Sequence, residues 1–72
     1  MVEIFKTNVS NKKLAGRILR ALQKQLPAFA FNFDLEDCDR ILRAQGESVA
    51  AHIHHIIGVV KGCNAEIAVY ED

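Results

Sequence analysis

The sequence is poor in the residues that mark secreted, membrane-bound or nucleic-acid-binding proteins. Its 72 residues include no tryptophan, one proline and two cysteines, and the formal net charge is zero. Two cysteines do not make a disulfide framework, so we expect a reducing, cytoplasmic location. Because nine basic and nine acidic residues cancel, no overall field attracts nucleic acid or anionic lipid. We therefore expect neither a nucleic acid partner nor a membrane.

Targeting and catalytic motifs are also missing. No apolar run approaches the roughly 20 residues that span a bilayer, and Met1-Val2-Glu3-Ile4 lacks the basic-then-apolar layout of a signal peptide. No nucleophile stands in a recognisable motif, and there is no glycine-rich phosphate loop. A domain of this size also has little room for a substrate pocket. These absences predict a protein that is not an enzyme.

The composition that remains is typical of one folded domain. Half of the residues are hydrophobic and a quarter are charged, which is too apolar for a disordered chain. The length is close to the smallest at which a single core is sufficient. Without a linker, repeat or low-complexity tract, the chain is predicted to form a single domain over residues 1–72.

The first half of the chain predicts a strand and then a helix. The strand covers Val2 to Thr7, and the pattern does not decide which of Ile4 and Phe5 faces inward. Ser10 or Asn11 can cap the helix, because either side chain accepts from exposed backbone N–H groups, and Pro27 ends it. The apolar residues at helical spacing are Leu14, Ile18, Ala21, Leu22 and Leu26.

The second half predicts two strands, a helix and a last strand. Bulky residues alternate with small or polar ones from Ala28 to Leu35, which indicates a strand with its bulk on one face. A short strand from Ile41 to Ala44 ends at Gly46. Ser48 is predicted to cap the second helix and Gly62 to end it. The last strand covers Ala65 to Tyr70.

This order of elements predicts an α+β fold. Two right-handed crossovers in the order strand, helix, strand, strand, helix, strand give a four-stranded antiparallel sheet with both helices on one face.

Three segments resemble the heavy-metal-associated domain, the ferredoxin-like fold of copper chaperones and of metal-pumping ATPase tails. Phe5-Lys6-Thr7-Asn8-Val9 is similar to the approach to the family's metal loop. Asp39-Arg40-Ile41-Leu42, ending at Gly46, is similar to its third strand. Gly62-Cys63-Asn64-Ala65 is similar to the turn that enters its fourth strand. The resemblance implies a β-α-β-β-α-β sandwich over nearly the whole chain.

The family's metal motif has no counterpart in this chain. The family holds Cu(I) or Zn(II) with the two thiolates of C-x-x-C, and its two cysteines fall on Asn11 and Leu14. Lys12 and Lys13 between them would repel a cation. The resemblance thus implies a binding domain of this lineage whose thiolate metal-transfer site is lost and which carries no cofactor.

Cysteine and histidine offer weaker metal candidates. Cys63 is either a small filler after the helix, or a relocated ligand or redox contact with Cu or Zn as the alternative cofactor. Cys38 is expected at the same end of the sheet but roughly 10 Å away across two strands, which is too far for a disulfide. His52 and His55 share a helix side at i, i+3. They are either solvated histidines or a weak surface site for Zn or Ni.

Charge on the first helix offers a different kind of site. At 100° per residue, four cations fall within roughly 60° of one another: Lys13, Arg17, Arg20 and Lys24. They form either a solvated helix face or a docking surface for an acidic protein. The acidic residues Asp34, Glu36, Asp37 and Asp39 also permit head-to-tail self-association. Nucleic acid ranks lower, because no aromatic pair lies beside the cations.

Overall fold

The computed structural model describes residues 1–71. Its elements are β1 (Val2–Thr7), α1 (Lys12–Gln25), β2 (Ala30–Asp34), β3 (Ile41–Gln45), a 3₁₀ helix (Val49–His52), α2 (Ile53–Gly62) and β4 (Ile67–Val69). The predicted order of strands and helices is therefore confirmed. Within residues 1–71, neither helix has the length and apolar character needed to cross a membrane.

The four strands form one antiparallel sheet in the order β2-β3-β1-β4. The central strand β1 lies between β3 and β4, so that Phe5 is opposite Leu42 on one side and Val69 on the other. The edge strand β2 pairs with β3, and Phe33 lies opposite Leu42. This order confirms the predicted α+β class and is consistent with a ferredoxin-like fold.

One face of the sheet is covered, and both helices pack on it. On β1, Phe5 is fully buried whereas its neighbour Ile4 is 36% exposed, which settles the direction that the sequence pattern left open. The inward residues of the sheet join those of α1 and α2 in one apolar cluster. The fully buried members of that cluster from the strands and the two helices are Phe5, Leu42, Ala44, Ile18, Leu22, Ile56 and Val60.

The strand β2, which carries the row of phenylalanines, is shorter than predicted. β2 begins at Ala30 instead of Ala28, because Phe29 N–H donates to the Leu26 carbonyl at 3.1 Å in the turn after α1. Phe29 is buried, whereas Phe31 and Phe33 are half-buried and pack against the core. Since β2 is an edge strand, its inner side chains are covered from one side only.

The second helix ends at Gly62 as predicted, but its start and the expected cap residues Ser48 and Gly62 are wrong. Ser48 has a φ of +62° and makes no side-chain cap, and the chain passes through a 3₁₀ turn before α2 starts at Ile53. Gly62 is the last residue of α2, and Asn64 adopts the left-handed conformation instead, with a φ of +63°. The Ala65 N–H donates to the Val60 carbonyl at 3.4 Å, as in a Schellman motif. Asparagine tolerates this conformation better than most residues do.

Two glycines should respond in opposite ways to alanine. At Gly46, φ is +154° and an added Cβ would lie 2.6 Å from Phe29 Cδ1, so we expect Gly46→Ala to lower the free energy of unfolding by about 1–3 kcal/mol. At Gly58 an added Cβ meets nothing within 4 Å, so Gly58→Ala should raise it by up to about 1 kcal/mol. Urea denaturation of both variants measures the difference, and equal stability of Gly46→Ala and the wild type would contradict it.

Candidate functional site

Hydrogen bonds tie together the three loops at one end of the sheet. The Thr7 hydroxyl donates to the Arg40 carbonyl at 2.7 Å and so links the β1–α1 loop to the β2–β3 loop. Asn8 Oδ1 accepts from the Glu66 N–H at 2.8 Å, and Asn8 Nδ2 donates to the Glu66 carboxylate at 3.3 Å. These bonds fix the α2–β4 loop beside the other two. The loop at which the resemblance places a metal therefore lies in a well-braced part of the fold.

The two residues at the family's cysteine positions have structural contacts instead. Asn11 is the N-cap of α1, and its Oδ1 accepts from the Leu14 N–H at 2.8 Å. The Leu14 side chain is half-buried and packs against the core. One amide oxygen already engaged by a backbone donor and one aliphatic side chain do not fit Cu(I) or Zn(II), which take thiolate and imidazole ligands.

Both cysteines are free thiols in different surroundings. Cys63 is the C-cap residue of α2, is half-buried and packs against the core. Cys38 is exposed in the β2–β3 loop. This agrees with the expectation that no disulfide joins them. The packing of Cys63 is compatible with the filler role that the sequence left open.

One group of ligand-type side chains was not anticipated from the sequence. Within residues 1–71, ligand atoms of Asp37, Cys38 and Asp39 lie within 4.8 Å of one another, partly because Asp37 Oδ1 accepts from the Asp39 N–H at 2.8 Å. The sequence did contain one indication of this group, because the thiol of Cys38 stands between the carboxylates of two neighbouring residues. The group is mostly exposed, and it mixes oxygen donors, which suit hard cations, with a sulfur donor, which suits soft ones.

The two histidines proposed as ligands contact different neighbours. His52 Nδ1 lies 3.0 Å from the Ser48 carbonyl oxygen, and its ring packs edge-on against Phe29 with centroids 5.1 Å apart. His55 Nε2 lies 2.8 Å from Gln25 Oε1 on the other helix. Among the described residues, no cysteine or carboxylate joins these two rings in a group of three ligand atoms. Their contacts are those of surface and helix-packing residues.

Four of the five cations of α1 lie together on its outer side and are called here the basic stripe. The core side of α1 is formed by Ala15, Ile18 and Leu22, and the stripe is on the opposite side. Its members are all exposed: Lys13, Arg17, Arg20 and Lys24. In the part of the chain that the structure describes, one ion pair lies within 4.0 Å, between Arg43 and Asp34 at 3.6 Å. No carboxylate of residues 1–71 thus neutralises the stripe.

Four of the nine acidic residues lie at the end of the sheet near the β2–β3 loop. Asp34 pairs with Arg43, Glu36 and Asp37 are exposed, and Asp39 is half-buried. The loop is attached to β1, because the Asp39 carbonyl accepts from the Thr7 N–H at 3.1 Å. Lys12 of α1 and Arg43 of β3 line the same surface as Asp34 and Glu36, so the group has cations beside it.

A groove between α1 and α2 is a second feature that the sequence did not predict; it is called here the helix groove. It has a volume of about 410 Å³. Its lining residues are Ala21, Gln25, His55, Gly58, Val59, Gly62 and Cys63. The available signal was the pair Gly58 and Gly62, four residues apart and so on one side of a helix.

Comparison of the chain with protein-family models and with curated proteins gives no match. The relation to heavy-metal-associated domains therefore stays a prediction. The roles considered for individual residues rest on the contacts described above.

The cap at the start of α1 can be tested directly. We expect Asn11→Ala to lower the free energy of unfolding by about 1 kcal/mol, because the Leu14 N–H loses its acceptor. Asn11→Ser is the matched control, since serine also caps and should retain most of the stability. Urea denaturation measures both. A variant Asn11→Ala as stable as the wild type would show that the cap contributes nothing.

Restoring the two thiols should restore soft-metal chemistry. In a competition titration against a Cu(I) chelator under reducing conditions, we expect the double variant Asn11→Cys, Leu14→Cys to retain copper and the wild type to lose it. Because Leu14 packs against the core, the variant should be less stable, by less than the roughly 2–5 kcal/mol of a leucine-to-alanine truncation. Stoichiometric copper on the wild type, or a folded double variant without thiolate-to-metal absorbance, would contradict this expectation.

Proposed function

We propose that this chain is a small, non-enzymatic binding domain of the cytoplasm that docks on an acidic protein surface through the basic stripe. Its scaffold descends from the heavy-metal-associated lineage, and its thiolate site has been lost. The observation that carries the proposal is the exposure of four neighbouring cations without a carboxylate partner among residues 1–71. The free thiols of Cys38 and Cys63 fit a reducing compartment.

The basic stripe opposes the stability of the helix that carries it. Lys13 and Arg17, and likewise Arg20 and Lys24, are like charges at i, i+4, and each pair destabilises a helix by roughly 0.2–0.5 kcal/mol. The first turn of α1 contains no acidic residue, although the positive end of the helix dipole favours one. Only Lys24, in the last turn, has the sign that the dipole favours. Folding therefore does not account for the stripe, whereas an acidic partner does.

The arginines suit such a partner better than lysines would. A guanidinium presents a planar array of donors that binds a carboxylate with two hydrogen bonds. Arg17 and Arg20 are exposed and adjacent on the helix surface at i, i+3. An unpaired positive field also speeds encounter with an acidic surface, so its removal should act mainly on the association rate.

Self-association is the alternative that the charge distribution favours. The acidic residues Glu36 and Asp37 are exposed on a loop braced by Thr7, and a second copy of the chain could present this loop to the basic stripe. Such a contact joins two different surfaces, so it would build rings or filaments instead of a closed two-fold dimer.

We expect the double variant Arg17→Gln, Arg20→Gln to keep its fold and to lose its acidic partners. Exposed charges change the free energy of unfolding by about 0.5 kcal/mol or less. The matched control is Lys6→Gln, Lys61→Gln, which removes the same charge from exposed positions on β1 and α2. Quantitative capture from native lysate should give acidic proteins on the wild type and the control. The double variant should lose them, and high salt should remove them from all three proteins.

Identical captured proteins on all three baits at low salt would contradict docking through the stripe. Sedimentation of the purified protein distinguishes docking on another protein from self-association. Self-association is indicated if the protein assembles as its concentration rises, and if this assembly is abolished by the double variant Arg17→Gln, Arg20→Gln and also by high salt.

A further inference from the structure

The helix groove lies directly beside the basic stripe and is lined by small residues. Ala21 of α1 faces Gly58 and Gly62 of α2 across it, and Val59 contributes a half-buried apolar side chain. No side-chain nitrogen or oxygen buried among the described residues lacks a hydrogen-bond partner. The groove walls thus offer shape and apolar contact, and any orienting charge has to come from the rim.

The two groove glycines are not required by the fold. A Cβ added at Gly58 or at Gly62 meets nothing within 4 Å, and neither glycine has a positive φ. Glycine is a poorer helix residue than alanine, because it has more backbone freedom to lose. What the glycines do provide is an open groove, since any larger side chain would project into it.

The rim of the groove on the α1 side is positively charged. Arg17 and Lys24 lie four residues before and three residues after Ala21, so they are on the same side of α1 as that groove residue. At 100° per residue, Arg17 and Lys24 are about 40° and 60° round the helix from Ala21, whereas Lys13 and Arg20 are about 80° and 100° from it. The basic stripe is therefore divided into a pair that borders the groove and a pair that does not.

One end of the groove is closed by a polar bridge between the helices. Gln25 Oε1 of α1 and His55 Nε2 of α2 are 2.8 Å apart, and both residues line the groove. Cys63 lines the groove at the opposite end of α2. The groove runs along a helix of 10 residues, which corresponds to a length of about 15 Å.

We propose that the helix groove binds an amphipathic helical segment of the acidic partner. A ridge of small or apolar residues packs between Ala21 and Gly58, and Asp or Glu residues beside that ridge pair with Arg17 and Lys24. This is recognition of a helix in a groove, and it favours a helix whose two flanks are acidic. The inference rests on the proposed docking function and names the part of the partner that docks.

The test uses a synthetic peptide of about 18 residues with alanine and leucine at i, i+3, i+4 and i+7 and with glutamate on both flanks. A scrambled peptide of the same composition keeps the charge and removes the amphipathic face. Fluorescence anisotropy at low salt should show that the wild type binds the amphipathic peptide at least about tenfold more tightly than the scrambled one.

Variants of α2 then locate the binding surface. Gly58→Leu fills the groove and should reduce the affinity for the amphipathic peptide to that for the scrambled peptide. His54→Leu is the matched control, because it adds a similar side chain at an exposed residue of α2 that does not line the groove. Thermal unfolding verifies that both fold. Should Gly58→Leu not fold, the pair Gly58→Ala, Gly62→Ala should still weaken binding several-fold, since its two methyl groups meet nothing in the fold.

Variants of α1 test the division of the stripe. The double variant Arg17→Gln, Lys24→Gln should weaken binding of the amphipathic peptide more than the double variant Lys13→Gln, Arg20→Gln does, although both remove two charges.

Equal binding of the two peptides, or wild-type affinity of the groove-filling variants, would overturn the groove and leave docking by charge intact. No binding of either peptide by the wild type would overturn the docking function itself. A dimer of the wild type that Gly58→Leu dissociates would assign the groove to a second copy and overturn the acidic helix.

Discussion

The packing of the core apolar side chains onto one face of the sheet is the constraint that organises this domain. Phe5 and Leu42 are opposite each other on the central strands and are both fully buried. A chain of this length has enough apolar residues to cover about one face of the sheet. Both helices must therefore lie on the same face, and their outer sides are left to solvent. The location of the basic stripe follows from this arrangement, but its uniform sign does not, because mixed charges at i, i+4 would stabilise the helix more than like charges do.

The end of the sheet that carries the β1–α1 loop is held together by contacts within the chain. The sheet order brings three loops to one end, and contacts of Thr7 and Asn8 join them. At this end Asn11 caps α1 and Leu14 adds to the core. Each of these contacts stabilises the fold without a metal.

Sequence patterns predicted those features that depend on short-range periodicity. The bounds of β1 and the helical start after Asn11 are as expected, because strand alternation and capping are local. The inward direction of Phe5 was not predictable, since Ile4 beside it is equally apolar and alternation fixes only that the two differ. The cap role expected of Gly62 was wrong because glycine is the usual left-handed residue after a helix, whereas Asn64 occupies that position here.

Features that depend on the distance between elements are only weakly indicated by the sequence. The helix groove exists because α1 and α2 leave a space beside Gly58 and Ala21, and the spacing of Gly58 and Gly62 does not fix the distance between two helices. Asp37, Cys38 and Asp39 are adjacent in sequence, but the approach of their ligand atoms depends on the turn that the Asp37 side chain forms. The spacing of His52 and His55 suggested a shared site, but His52 contacts Ser48 whereas His55 contacts Gln25.

Two departures from good helix chemistry lie on the same side of the molecule, and this coincidence is the strongest argument for a function there. The cap at Asn11 and the left-handed Asn64 after α2, by contrast, are favourable helix ends. On the outer side, Arg17 lies four residues after the like-charged Lys13, and Gly58 stands inside a helix with open space around it. Natural sequences tend to break local rules where binding or catalysis requires it. An acidic helix bound along the groove would offset both departures at once, because its carboxylates would pair with Arg17 and Lys24 and its backbone could approach at the glycines.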